Sequence, residues 1–138
     1  MLLSKRDIQP DELGYKLRFA PIFTKDGDNL KMGLMHDQFE LVREGSKTIE
    51  IRLNDQKRQQ LRVGDPIVFE DLTTQQRLSK QVAKLEKFVS FVQLYDHYQG
   101  IVVGSAPTDS VAKMVSDTYR IYSKQQEAEH GVLAIHLE

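Results

Sequence analysis

The chain has no cysteine, and that absence removes disulfides, thiolate nucleophiles and cysteine-held zinc together. It has no run of eighteen apolar residues, so no membrane-spanning helix is expected. Met1 to Phe19 lacks the apolar centre of a secretory leader, because Lys5, Arg6, Asp7, Asp11 and Glu12 interrupt it. The expectation is a cytoplasmic protein without a membrane partner. Neither sign of charge is in excess. The 19 basic and 20 acidic residues leave a net charge of −1, which excludes a globally basic nucleic-acid protein. Gly27, Gly33, Gly45 and Gly64 are scattered turn residues without phosphate-loop spacing. His97, His130 and His136 lack ligand spacing, and His36 reads as a hydrogen-bonded structural residue before a helix. No metal and no cofactor is therefore expected.

What is present is an ordinary globular composition over 138 residues, 40% hydrophobic and 28% charged, enough for one domain with one core. Gln9-Pro10-Asp11-Glu12 could open a short helix, and Lys25 to Asn29 is a polar turn. The pattern then predicts a strand from Leu30 to Met35 and a helix from Gln38 to Glu44, capped by Asp37 and stopped by Gly45. A strand Lys47–Leu53 follows, then a one- or two-turn helix from Asn54 or Asp55 to about Leu61. Pro66 to Glu70 and Arg77 to Phe88 read as a hairpin around Thr73 and Thr74. Leu78, Val82 and Leu85 fall out of phase, which predicts a bulge in the longer strand. Ser90 caps a helix Phe91–Tyr98, a cap ending the Ser105–Asp109 linker opens another, and Ser123 to His130 forms a third. Gly131 leads into a closing strand, Val132–Leu137, with His136 at its exposed parity. No repeat or internal boundary appears. Five or six strands with helices inserted between them make an α+β fold.

Chemistry concentrates in Gly45-Ser46-Lys47-Thr48-Ile49-Glu50-Ile51-Arg52-Leu53-Asn54-Asp55-Gln56-Lys57-Arg58. Strand alternation puts Thr48, Glu50 and Arg52 on one face, expected to be concave, and Ile49 and Ile51 on the other, expected in a barrel core. Glu50 and Arg52 lie ~6.6 Å apart along a strand, near enough for their tips to meet. Lys47 is out of phase with Glu50 and joins them only if the backbone bends at Ser46 or Lys47. Arg43, Lys47, Arg52, Lys57, Arg58 and Arg62 face only Glu44, Glu50 and Asp55 over this region. Such a local positive field suits a small anionic ligand or a short stretch of RNA; the alternative is a solvated basic surface.

The run G-S-K-T-I-E-I-R, followed by L-N-D-x-K-R and by V-G-D-x-I-x-F from Val63 to Phe69, resembles the ASCH family, the activating-signal-cointegrator homology domains. The resemblance extends more loosely to Ser90–Tyr95 and Gly131–Ile135, and covers roughly Met32 to Glu138. It divides the chain into an N-terminal extension of unassigned role, residues 1–30, and an ASCH domain, residues 31–138. It implies a small PUA-like β-barrel with helices at its rim.

The resemblance also implies that Lys47 and Glu50 share a cleft, which makes Lys47, Glu50 and Arg52 the candidate catalytic residues. Lysine in a dry pocket serves as nucleophile or base, glutamate carries a proton, and arginine holds an oxyanion or phosphate. Some ASCH proteins are similar to amidohydrolases of N4-acetylcytidine, in which threonine stands three residues after the lysine; here that position is Glu50. Others are metal-independent ribonucleases on single-stranded RNA. A third reading is binding alone. Lys57, Arg58 and Arg62 would then contact phosphate, with Tyr122 and Ser123 as further ligand contacts. Tyr95, Tyr98, Tyr119 and Tyr122 could stack on bases, although tyrosines on a helix stripe more often pack. RNA or a nucleoside is the expected partner.

Overall fold

Glycine turns and serine caps divide residues 30–138, the part of the chain that the computed structural model describes, into five strands and four helices. The helix at Gln9-Pro10 and the turn at Lys25 to Asn29 lie outside the described residues. In chain order the elements are β1 (Leu30–Leu34), α1 (His36–Arg43), β2 (Ile49–Leu53), β3 (Pro66–Asp71), β4 (Arg77–Phe88), α2 (Phe91–His97), α3 (Val111–Thr118), α4 (Lys124–His130) and β5 (Val132–Leu137). Short 3-10 turns occupy Arg58–Gln60 and Gly100–Val103. The first of these replaces the longer helix expected after Asp55.

The strands form one sheet in the order β1-β3-β4-β5-β2. Only β1 and β3 are parallel, in register from Leu30 opposite Ile67 to Leu34 opposite Asp71. β4 turns the corner. Its first half pairs with β3 from Arg77 to Gln81, its second half pairs with β5 from Val82 to Phe88, and the register slips between Val82 and Lys84. That slip is the bulge signalled by the broken phase of Leu78, Val82 and Leu85, and it bends the strand. The sheet curls into the half-barrel of an α+β domain.

The caps explain where the helices start. Ser90, Ser110 and Ser123 each accept a backbone N–H from the third residue on, at 3.0–3.1 Å. Ser123 completes a capping box, because Gln126 returns a bond to the Ser123 N–H at 2.9 Å. Asp37 is not the cap of α1. Met35 holds that place without a side-chain bond, and Asp37 sits in the first turn, where its charge meets the helix dipole. At the linker the cap is Ser110, one residue later than expected, while Asp109 turns back to the Ala106 N–H at 3.2 Å.

Two apolar layers flank the sheet. Leu30, Met32, Ile67, Phe69, Val82, Leu133 and Ile135 pack with Phe39 and Val42 of α1. On the other face Ile49, Leu53, Val132 and Ala134 pack with Phe91 and Leu94 of α2 and Met114 and Val115 of α3. The central strands are thus covered on both sides, so parity separates one interior from another rather than core from solvent.

Candidate functional site

Gly45, at φ +87°, ends α1 and turns the chain back under the helix. The N–H groups of Ser46 and Lys47 both donate to the Leu41 carbonyl at 3.0 Å, so Lys47 leaves the helix before β2 begins at Ile49. This is the bend that Lys47 needed. Its ammonium lies 2.7 Å from Glu50 Oε1 and donates to Gln38 Oε1 at 2.7 Å. The other Glu50 oxygen, Oε2, accepts from Arg52 Nε at 2.5 Å. Arg52 Nη2 donates to the Gly33 carbonyl at 2.9 Å. Gln38 Nε2 closes the circuit on the Gly104 carbonyl at 3.1 Å.

Lys47, Glu50 and Arg52 are only 7%, 4% and 8% exposed. Glu50 and Arg52 stand opposite Ile135 and Leu133 on β5, and therefore on the face of the half-barrel interior. Ile49 and Leu53 face the α2/α3 layer, and Ile51 is only half-buried there. Glu50 and Arg52 thus take the concave, inner side as expected, whereas the isoleucines face the helix layer and not the barrel core. Thr48 is exposed and precedes the strand rather than lining the same face.

Burial alone would push the Glu50 carboxyl up, but Lys47 and Arg52 outweigh it and hold it down at about 2. It is an anion throughout the neutral range. Two cations around one anion leave the trio with an excess positive charge in a nearly dry setting. Lys47 Nζ is thus bonded to Gln38 and paired by charge with Glu50.

The other candidates are dispersed around this centre. Arg58 is held by Asp55 at 2.8 Å, while Lys57 and Arg62 are exposed. Tyr122 stacks on Phe91 with ring centroids 5.8 Å apart. Burial pushes its hydroxyl up to about 12, against the lowering fields of Arg52 and Arg58. The Ser123 hydroxyl is engaged as the α4 cap. Tyr95, Tyr98 and Tyr119 bond Thr118 at 2.8 Å, Glu86 at 2.5 Å and Glu127 at 2.6 Å. These three pack rather than offer free rings. His136 is half-buried and bonds Glu86 at 2.7 Å, because its face of β5 meets Tyr98 rather than solvent.

Gln38, Gly33 and Gly104 belong to the site and carried no signal of it in the sequence. Gly104 has φ +87°, and a Cβ there would lie 2.1 Å from Gln38 Oε1 and 3.1 Å from Lys47 Cδ. Its bareness is what lets the two polar side chains meet.

The family model of the ASCH domain matches residues 32–138. The crystal structure of hypothetical protein PH0355 is 31% identical with a TM-score of 0.69, covering 78% of this chain and 95% of that one. The solution structure of protein PF0455 from Pyrococcus furiosus is 30% identical with a TM-score of 0.60, covering 78% and 94%. No curated protein matches the chain. Among the described residues, no helix is long and apolar enough to cross a membrane.

Proposed function

Because the chain belongs to the ASCH domain family and has its PUA-like fold, we propose that it binds RNA or a nucleobase-containing ligand at Lys47, Glu50 and Arg52. One observation carries this reading. Glu50 is held at about 2 between its two cations, so near neutral pH it orients donors and does not carry a proton. The trio then acts as a fixed donor set of net positive charge, suited to a base carbonyl or a phosphate oxygen. Lys57, Arg58 and Arg62 carry further positive charge after this strand, with Lys57 and Arg62 exposed.

Fluorescence anisotropy with a labelled single-stranded RNA, repeated over a range of salt, tests the reading. Affinity should fall steeply with salt through counterion release. Changing Lys57 and Arg62 together to alanine should reduce the log–log slope by up to about 1.4, at roughly 0.7 per single-strand phosphate contact. An unchanged slope would place the RNA surface elsewhere.

A hydrolase remains the second reading, favoured by the 2.7 Å approach of Lys47 Nζ to Glu50. Lysine as nucleophile or base, with Arg52 on the developing charge, would serve either amide hydrolysis of an N4-acetylcytidine-type nucleoside or, with Tyr122 or Ser123 assisting, ribonuclease cleavage. Chromatography of N4-acetylcytidine and of single-stranded RNA after incubation with the protein separates the three outcomes.

A further inference from the structure

Away from the trio, the start of α1 meets the end of β3. We propose that His36, Glu40 and Asp71 form a binding site for one divalent transition-metal ion of the zinc type. One potential ligand atom from each residue lies within 4.8 Å of the other two. His36 and Glu40 are four apart on α1 and so project from one side of the helix. Asp71 comes from β3, directly beside Leu34 in the parallel register.

Asp71 is the anchor. It is fully buried, and its Oδ1 accepts the N–H groups of Thr73 at 2.9 Å and Thr74 at 3.4 Å. Those bonds fix the carboxylate and leave Oδ2 facing His36 Nδ1 at 2.7 Å. A ligating carboxylate is oriented by outer hydrogen bonds in just this way. Among the described residues, the sole ion-pair partner of this buried carboxylate is a histidine, which is cationic only when protonated. A buried carboxylate calls for a more permanent cation than that.

An ion of this class takes nitrogen and oxygen ligands at ~2.0–2.2 Å, which puts tetrahedral ligand atoms ~3.3 Å apart. The His36–Asp71 separation of 2.7 Å is shorter than this, and all three atoms lie within 4.8 Å. Rotation of two solvent-facing side chains about the fixed Asp71 brings the set to that spacing. The ion would take the place of the proton now shared by His36 and Asp71. Glu40 is meanwhile held by Arg43 at 2.5 and 2.6 Å, so the arginine competes with the ion. Gln38 lies between the two helical ligands, and a bound ion would therefore brace the turn that presents Gln38 to Lys47.

Calorimetric titration of the chelator-treated full chain with zinc chloride tests the site. The expected result is one zinc ion per chain. His36→Ala should weaken binding by at least about 100-fold, beyond the 10–100-fold typical of an outer-shell loss. Arg43→Ala should tighten it several-fold by releasing Glu40. Both side chains are exposed, and circular dichroism confirms that the variants are folded. Absence of saturable binding, or undiminished binding by His36→Ala, overturns the site. An Arg43→Ala affinity no tighter than the parent removes Glu40 and overturns the three-ligand set.

Discussion

Arg52 Nη2 lies 2.9 Å from the carbonyl oxygen of Gly33, so a side chain of one edge strand is tied to the backbone of the other. β1 and β2 are the two ends of the sheet order, and among the described residues no strand pairing joins them. The guanidinium spans that open seam on the inner face while its Nε holds Glu50. The same group therefore fixes the curl of the sheet and the geometry of the charged trio.

Arg52→Ala should cost about 3–5 kcal/mol, the range for breaking a buried pair and leaving its partner uncompensated. Arg52→Lys keeps the charge, but one ammonium cannot reproduce a fork that serves both Glu50 and Gly33. Its urea midpoint should fall between those of Arg52→Ala and the parent. A lysine variant as stable as the parent would show that the seam contact contributes nothing.

Acid should expose the Glu50 pair. A carboxyl lowered from 4.5 to about 2 on folding contributes ~3 kcal/mol, fully present above the unfolded value. That contribution declines as pH falls from about 4.5 and is gone below about 2, because the unfolded chain takes up the proton first. Glu50→Gln removes this dependence and leaves two buried cations unneutralised. The difference in unfolding free energy between parent and Glu50→Gln should thus shrink between pH 5 and 2. The lowered carboxyls of Asp71 and Glu86 are present in both proteins and cancel. Parallel stability curves over that interval would refute the assignment.

The sequence carried the constellation but not its surroundings. Lys47, Glu50 and Arg52 were legible because strand alternation and one required bend are local properties, and the bend is made by two bonds to Leu41. Ser90 and Ser123 were legible as caps for the same reason. The layer that the isoleucines would meet was not. Ile49 and Leu53 meet helices that begin only at Phe91 and Val111, and no local pattern shows that both faces of β2 are covered. Gln38 and Gly104 are 66 residues apart, so their bond is a product of tertiary structure alone. The His36 hydrogen bond was anticipated, but its partner Asp71, 35 residues away, was not.

Lys47→Arg separates binding from lysine chemistry. Guanidinium stays protonated at any usable pH, so a nucleophile or general base is lost while a positive donor is kept. On the binding reading RNA affinity should stay within about tenfold of the parent, or ~1.4 kcal/mol, whereas Lys47→Met should lose more. On the hydrolase reading both variants should be inactive. Turnover that survives Lys47→Arg would exclude lysine chemistry.

Gly104 and Gly45 offer a matched pair. Both have φ +87°, so alanine meets the same left-handed strain, ~1–2 kcal/mol, at either position. A Cβ at Gly45 has nothing within 4 Å, whereas one at Gly104 would lie 2.1 Å from Gln38 Oε1. Gly45→Ala should therefore show the strain alone. Gly104→Ala should add the expulsion of Gln38, which strips Lys47 of one of its two acceptors and frees the Gly104 carbonyl. A lost buried partner costs a further ~1–3 kcal/mol. Replacing Gln38 by alanine in the Gly104→Ala background removes the collision and should recover part of that increment. Equal losses at the two glycines, measured by urea denaturation, would mean that Gly104 is retained for its backbone conformation and not for the room it leaves beside Lys47.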